Sequence, residues 1–191
     1  MAEILPNPQI LKKLKHELSN VVGMNNIFEE YHLPNLKYLE ASIKEALRQH
    51  PPLPLLLPKC PTHSTLVGGF TIPKEIKFFL NIWALQRDPD ICENPLEFNP
   101  GRFLDENIML DFEDNNFRYL SFGSGRRVCV GISLGDKMVM YFLASLLHSF
   151  DWKLPEGEVI DFTEKFGIVL KKNKPLIANP IQRLSYLKLY E

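Results

Sequence analysis

The segment Phe122-Gly123-Ser124-Gly125-Arg126-Arg127-Val128-Cys129-Val130-Gly131 constrains this chain more than any other part of it. It carries one cysteine among glycines and a pair of arginines, and the most apolar helical stretch, Ile132 to Phe150, follows at once. Glycines there let the backbone take φ > 0 or pass close to a flat, bulky object. Backbone N–H groups at a helix start, with Arg126 and Arg127 beside them, favour a thiolate over a thiol. The helix is apolar on nearly all sides, so it is expected to be buried. The plain alternative is a small buried cysteine beside a turn.

The rest of the composition narrows the classes. A chain of 191 residues with 45% hydrophobic content suits one folded domain or a little more. The net charge of -1 offers no basic field for nucleic acid. The longest apolar run, Met138 to Leu147, falls short of the roughly 20 residues a spanning helix needs. Met1-Ala2-Glu3 lacks the basic start of a signal peptide. Cys60, Cys92 and Cys129 form no C-x-x-C and are odd in number, which argues against a disulfide framework and fits a reducing compartment.

Asn7-Pro8 predicts a helix start with Asn7 as cap, and Leu11, Leu14, Leu18 and Val21 share one face before Gly23. Lys12, Lys13, Lys15 and Glu17 on the other face read as solvated. A second helix is expected from near Pro34, with Tyr38, Leu39, Ile43, Ala46 and Leu47 buried and Pro51-Pro52 as its stop. Ser64 to Ile72 predicts a tight hairpin about Gly68-Gly69. Ile76 to Ile82 reads as a buried strand, and Trp83 to Arg87 as a helical turn. Asp90 to Arg127 reads mostly as loop, and a loop of that length is usually functional or tied down. Phe166, Ile168 and Leu170, a turn at Lys171 to Lys174, and Leu176-Ile177 predict a terminal hairpin. The fold class is mainly α with small β-sheets, α+β.

A thiolate presented as Cys129 is has two uses, nucleophile or metal ligand. A nucleophile needs a base, and no histidine lies near in sequence. Zinc needs further ligands, and His16, His32, His50, His63 and His148 never fall at ligand spacing from one another or from a cysteine. Haem iron needs one protein ligand on its proximal side, and a cysteine thiolate serves in some proteins.

At this point the chain resembles the cytochrome P450 family. Phe122, Gly125, Arg127, Cys129 and Gly131 match F-x-x-G-x-R-x-C-x-G at every fixed position, and Glu45-Ala46-Leu47-Arg48 matches E-x-x-R. Phe98-Asn99-Pro100-Gly101-Arg102-Phe103 is similar to the third signature, normally P-E-R-F. Gly101 stands where that signature has Glu, and a loosened loop is the expected consequence; Val130 stands where Pro is frequent. Asn81-Ile82-Trp83-Ala84 and Glu164-Lys165-Phe166-Gly167 resemble plant microsomal members of the geraniol or monoterpenoid hydroxylase type.

The resemblance implies the C-terminal, proximal half of that fold over residues 1–191: the tail of a distal helix at Met1 to Leu5, the E-x-x-R helix, a hairpin, the haem-binding loop, a buried helix and a terminal hairpin. It implies haem b bound through Cys129 as axial iron ligand, with Phe122, Gly125, Arg127, Gly131 and Lys59 about the cofactor. For Lys59 an ordinary exposed lysine is an equal alternative. Glu45, Arg48 and Arg102 are implied to form a buried triad, although by spacing alone Glu45 and Arg48 suit a surface pair worth about 0.2–0.5 kcal/mol. Leu55 and Leu56 on one loop, and Gly167, Ile168 and Val169 on another, are implied to face a small hydrophobic substrate. The implied activity is a monooxygenase reaction with electrons from NADPH through NADPH-cytochrome P450 reductase. Full-length relatives are implied to sit at the endoplasmic reticulum membrane; this chain, with no anchor, is expected to be cytosolic or membrane-peripheral. The N-terminal half, including the distal acid–alcohol pair, is absent from the sequence. The alternative is therefore a truncated, non-catalytic relative acting as a weak haem binder or interaction module.

Overall fold

The computed structural model describes residues 1–104, 117–186 and 190. Its elements in chain order are α1 (Pro8–Val21), α2 (Lys37–Gln49), β1 (Thr65–Val67), β2 (Phe70–Ile72), α3 (Ile82–Leu85), α4 (Ile132–Ser149), β3 (Phe150–Lys153), β4 (Glu164–Lys165), β5 (Lys171–Lys172) and β6 (Asn179–Gln182). Short 3-10 turns at Glu30–Asn35, Pro100–Phe103 and Gly125–Arg127 join them. Part of the long loop expected between Asp90 and Arg127, residues 105–116, lies outside the described residues.

Helices α1, α2 and α4 build the core. Leu14 and Leu18, Leu39 and Ile43, and Ala144 and Leu147 meet there, with Phe28, Leu33 and Leu36 closing it. Burying each such leucine contributes about 1.5–3 kcal/mol. Helix α1 starts on Pro8, whose missing N–H is no loss in a first turn, and stops before Gly23, where φ is 83°. Asn7 does not cap it; its Nδ2 donates backward to the Glu3 carbonyl at 2.8 Å.

The start of α2 is capped from another element. Glu17 accepts the N–H groups of Tyr38 and Leu39 at 2.7 and 2.9 Å, satisfying donors that a helix start leaves open. Burial raises the pKa of Glu17, and these two N–H bonds oppose that rise. So Glu17 is not simply solvated, and neither is Lys15, which pairs with Asp151; Lys12 and Lys13 are exposed as expected.

Three expectations need correction. Helix α4 is buried only along Met140, Ala144, Leu147 and His148, while Leu134, Met138, Val139 and Phe142 are exposed. Among the described residues, α1 and α2 cover a single face of it. Ile76 to Ile82 forms no strand and contributes one antiparallel bridge, Lys59 to Phe78. Its apolar residues Ile76, Phe79 and Leu80 are exposed.

The terminal pairing also differs. Strand β3 pairs antiparallel with β6, Phe150 opposite Gln182, and β4 pairs with β5, Glu164 opposite Lys172. The chain turns through residues 166–170, where Phe166, Ile168 and Val169 are exposed, so the alternation there belongs to a turn. The hairpin β1–β2 forms as expected, with Gly68 and Gly69 at φ 55° and 84°, the left-handed pair that a two-residue turn requires. Helices with small sheets give the expected α+β class. No helix among the described residues is long and apolar enough to cross a membrane.

Candidate functional site

Helix α2 carries the most constrained polar cluster. Glu45 is 0% exposed and Arg48 is 3% exposed, one turn apart. Arg48 Nε donates to Glu45 Oε2 at 2.7 Å, and its Nη2 to Oε1 at 3.0 Å, the forked geometry that suits a carboxylate. The remaining Arg48 donors reach the carbonyls of Gln86 at 2.6 Å and Pro95 at 2.7 Å. Arg102 donates its Nε to Glu45 Oε1 at 3.4 Å, and the Asn99 N–H reaches the same oxygen at 3.0 Å. Arg102 also donates to the carbonyls of Asn94, at 2.7 Å, and Glu93. Residues 93–102 are thus fastened to α2. The Glu45–Arg48 pair is not on the surface, and removing one partner of a buried pair costs about 3–5 kcal/mol.

Gly101 does not loosen this loop. Asn99 Oδ1 accepts the Gly101 N–H at 3.0 Å, and a Cβ at position 101 would lie 2.9 Å from that oxygen. The turn is held by the asparagine side chain, which lies where a Cβ at position 101 would press on it.

The Cys129 loop is built differently. The Gly123 N–H donates to the Leu120 carbonyl at 2.8 Å, and the Cys129 N–H to the Phe122 carbonyl at 3.1 Å. Gly123 and Gly125 take φ 76° and 67°, which lets the chain fold back within so few residues. A Cβ on Gly131 would lie 3.8 Å from Cys129 Sγ. Cys129 is a free, exposed thiol just ahead of α4, so it is not buried beside a turn. It lines a cavity of about 790 Å³. Leu53, Leu56, Leu57, Phe78 and Phe122 give that cavity apolar walls, while Arg127 and Lys59 bring two cations to it.

Not every expected residue arrives there. Phe122, Arg127, Cys129, Lys59 and Leu56 line one cavity, and Gly125 and Gly131 shape its loop from outside the lining. Leu55, Gly167, Ile168 and Val169 do not line it. Leu56 sits at φ 50°, a bend that breaks simple alternation between neighbours. The 166–170 turn is tied close by, because the Leu170 N–H donates to the Pro52 carbonyl at 2.8 Å, yet Ile168 and Val169 face solvent. Cys60 and Phe78 line the cavity too, although no motif marks either of them.

The residues present fit a haem. The Cys129 thiol lies beside Gly131, where a Cβ would come within 3.8 Å of the sulfur, two cations match the two propionates, and hydrocarbon walls suit the macrocycle.

A family model described as Cytochrome P450 matches residues 1–179. The chain is 46% identical over 188 residues to a flavonoid 3',5'-hydroxylase of Solanum melongena, covering 97% of this chain and 37% of that relative. It is 45% identical over 193 residues to cytochrome P450 98A1 of Sorghum bicolor, covering 100% of this chain and 37% of that relative. Among solved structures, a zebra fish cytochrome P450 with abiraterone matches with a TM-score of 0.83 at 31% identity, covering 95% of this chain and 41% of that one. The chain spans about 37% of the length of these curated relatives.

Proposed function

The chain belongs to the cytochrome P450 family, and from that premise we propose that it carries the thiolate side of a haem monooxygenase acting on a small hydrophobic substrate. Residues 1–191 form part of one such domain. Cys129 would hold the haem b iron through its sulfur, as a thiolate. Arg127 and Lys59 would hold the propionates through charge-assisted hydrogen bonds. Phe122 would wall the cavity on the side of the sulfur, and Gly125 and Gly131 would leave room for the macrocycle beside the loop. When bound, haem supplies the activation of O2 and the insertion of one oxygen atom into a C–H bond, with two electrons from NADPH through its reductase.

The chain's own residues bind, orient and exclude water. Leu53, Leu56, Leu57 and Phe78 wall the cavity and keep water from the side they cover. The cluster of Glu45, Arg48 and Arg102 holds α2 and residues 93–102 as one rigid support. The observation that carries the reading is the convergence of Cys129, Arg127 and Lys59 on one apolar cavity. Similarity to a flavonoid 3',5'-hydroxylase supports a flavonoid as the substrate. It lends nothing to the monoterpenoid suggested by Asn81 to Ala84 and Glu164 to Gly167.

The test loads the full chain with haem, reduces it under carbon monoxide and records the Soret band. Wild type should show the red-shifted band of thiolate ligation, and Cys129→Ser should lose it. A wild type without that band overturns the reading. A flavanone should perturb the spectrum of the loaded chain where geraniol does not; the reverse result assigns the terpenoid class.

A further inference from the structure

Gln86 closes α3 and is 1% exposed, yet both ends of its side chain are engaged. Its Nε2 donates to the Arg48 carbonyl at 2.8 Å and the Leu47 carbonyl at 3.3 Å. Its Oε1 accepts the Leu120 N–H at 3.1 Å and the Ser121 hydroxyl at 3.2 Å. That single hydroxyl proton is shared with the Leu47 carbonyl at 3.0 Å. Chemistry fixes the amide's orientation. A flipped amide would set donor against donor at Leu120 and acceptor against acceptor at Arg48.

The two ends of this amide serve different elements. The carbonyls of Leu47 and Arg48 lie in the last turn of α2, where no intrahelical N–H is left for them. Gln86 Nε2 satisfies them there. Leu120 and Ser121 lead directly into Phe122, whose carbonyl accepts the Cys129 N–H at 3.1 Å. The backbone carbonyl of Gln86 takes Arg48 Nη1 at 2.6 Å, so residue 86 also touches the buried ion cluster. Tyr119 adds a parallel tie through its hydroxyl, which donates to the Lys44 carbonyl at 3.1 Å, but that bond lies one turn earlier on α2.

We propose that Gln86 is a positioning residue for Cys129. It caps the end of α2 with one side of its amide and holds Leu120 and Ser121 with the other. In this way it fixes the position of the Cys129 loop relative to the cluster of Glu45, Arg48 and Arg102. The consequence for iron ligation rests on the haem-thiolate reading; the tie itself does not.

The test compares wild type, Gln86→Leu and Gln86→Glu in the full chain, with two readouts. The first is hydrogen exchange at the Leu120 amide without haem. In Gln86→Leu it should speed up by about tenfold or more, while the Leu39 amide in the core of α2 stays within about twofold of wild type. The second is the share of thiolate-ligated haem, read from the reduced carbon monoxide spectrum at equal haem loading. Gln86→Leu should divide between red-shifted and ordinary Soret bands, and Gln86→Glu, which keeps the acceptor for Leu120 and Ser121, should recover part of the red-shifted band. If Gln86→Leu gives no folded chain, Gln86→Met, which likewise lacks both the donor and the acceptor of the amide, carries the same two readouts with the same expected changes. Unchanged Leu120 exchange overturns the proposal, and so does an unchanged band ratio once that exchange has risen. A wild type with no red-shifted band would instead fail the haem reading, and Leu120 exchange would still decide the Gln86 tie.

Discussion

The ion cluster on α2 and the Cys129 loop sit on either side of Gln86, and they treat solvent in opposite ways. Glu45 and Arg48 are sealed from water, and four protein carbonyls take the guanidinium donors that Glu45 leaves free on Arg48 and Arg102. Cys129 is exposed, and Val130 beside it reaches 103% exposure. The first region stores its stability in satisfied buried charge. The second is held at its base by backbone and Gln86 hydrogen bonds and leaves its thiol open. The difference teaches that the thiol is placed by a rigid support beneath it and not by packing around it. A loop carried on a fixed scaffold commonly bears the chemistry in this way.

The strongest way to break this contrast is to open the sealed region. Glu45→Ala or Arg48→Ala should cost about 3–5 kcal/mol in urea unfolding and abolish soluble haem-loaded protein. Recovering normally loaded protein from either variant would show that the cluster does not support the loop. A smaller loss, about 0.5–1.5 kcal/mol, is expected from Gly101→Ala, because its Cβ would displace Asn99 Oδ1 from the Gly101 N–H. A melting temperature equal to wild type would contradict that.

Two histidines sharpen the comparison through pH. His50 Nε2 lies 2.8 Å from Glu3 Oε1 and its Nδ1 2.7 Å from Glu164 Oε1, and the protonated ring donates to both. Its pKa is raised above 6.5, chiefly by the hydrogen bond to Glu3, with the Glu164 bond adding to it and burial opposing. Its stabilisation is therefore complete below 6.5 and lost as pH rises through the folded value. His148 is the reverse case. Burial chiefly lowers its pKa below 6.5, and among the described residues its Nδ1 has no hydrogen-bond partner, while Nε2 meets the Asn26 carbonyl at 2.9 Å. Its contribution is present above 6.5 and lost as pH falls through the folded value. Thermal melts should peak near pH 6.5, falling on the acid side through His148 and on the alkaline side through His50, and His50→Gln should remove the alkaline decline alone. A decline that persists unchanged in His50→Gln would assign it elsewhere. The smallest effect belongs to the open region: Val130→Ser should change stability by less than about 0.5 kcal/mol. A larger loss in chemical denaturation would mean that the shelf beside Cys129 is covered.

Much of this was legible in the sequence because local patterns carry it. The apolar faces of α1 and α2, the Gly68-Gly69 turn and the cysteine loop each depend on residues close together in the chain. What escaped depends on distant partners. Glu17 caps a helix 21 residues away, and its spacing on α1 looked only like a solvated face. Strand β3 pairs with β6 across the intervening hairpin, a register that no local alternation announces. The apolar character of α4 predicted burial, but burial needs a neighbour on each side, and the described residues supply one. Gln86 carried no signal at all, since a glutamine looks the same whether its amide meets water or four protein groups.

X-ray absorption at the iron edge of the haem-loaded chain tests the central claim most directly. A single sulfur scatterer bound to iron in wild type, replaced by a light atom in Cys129→Ser, is the predicted result. Light-atom ligation alone in the wild type would contradict it.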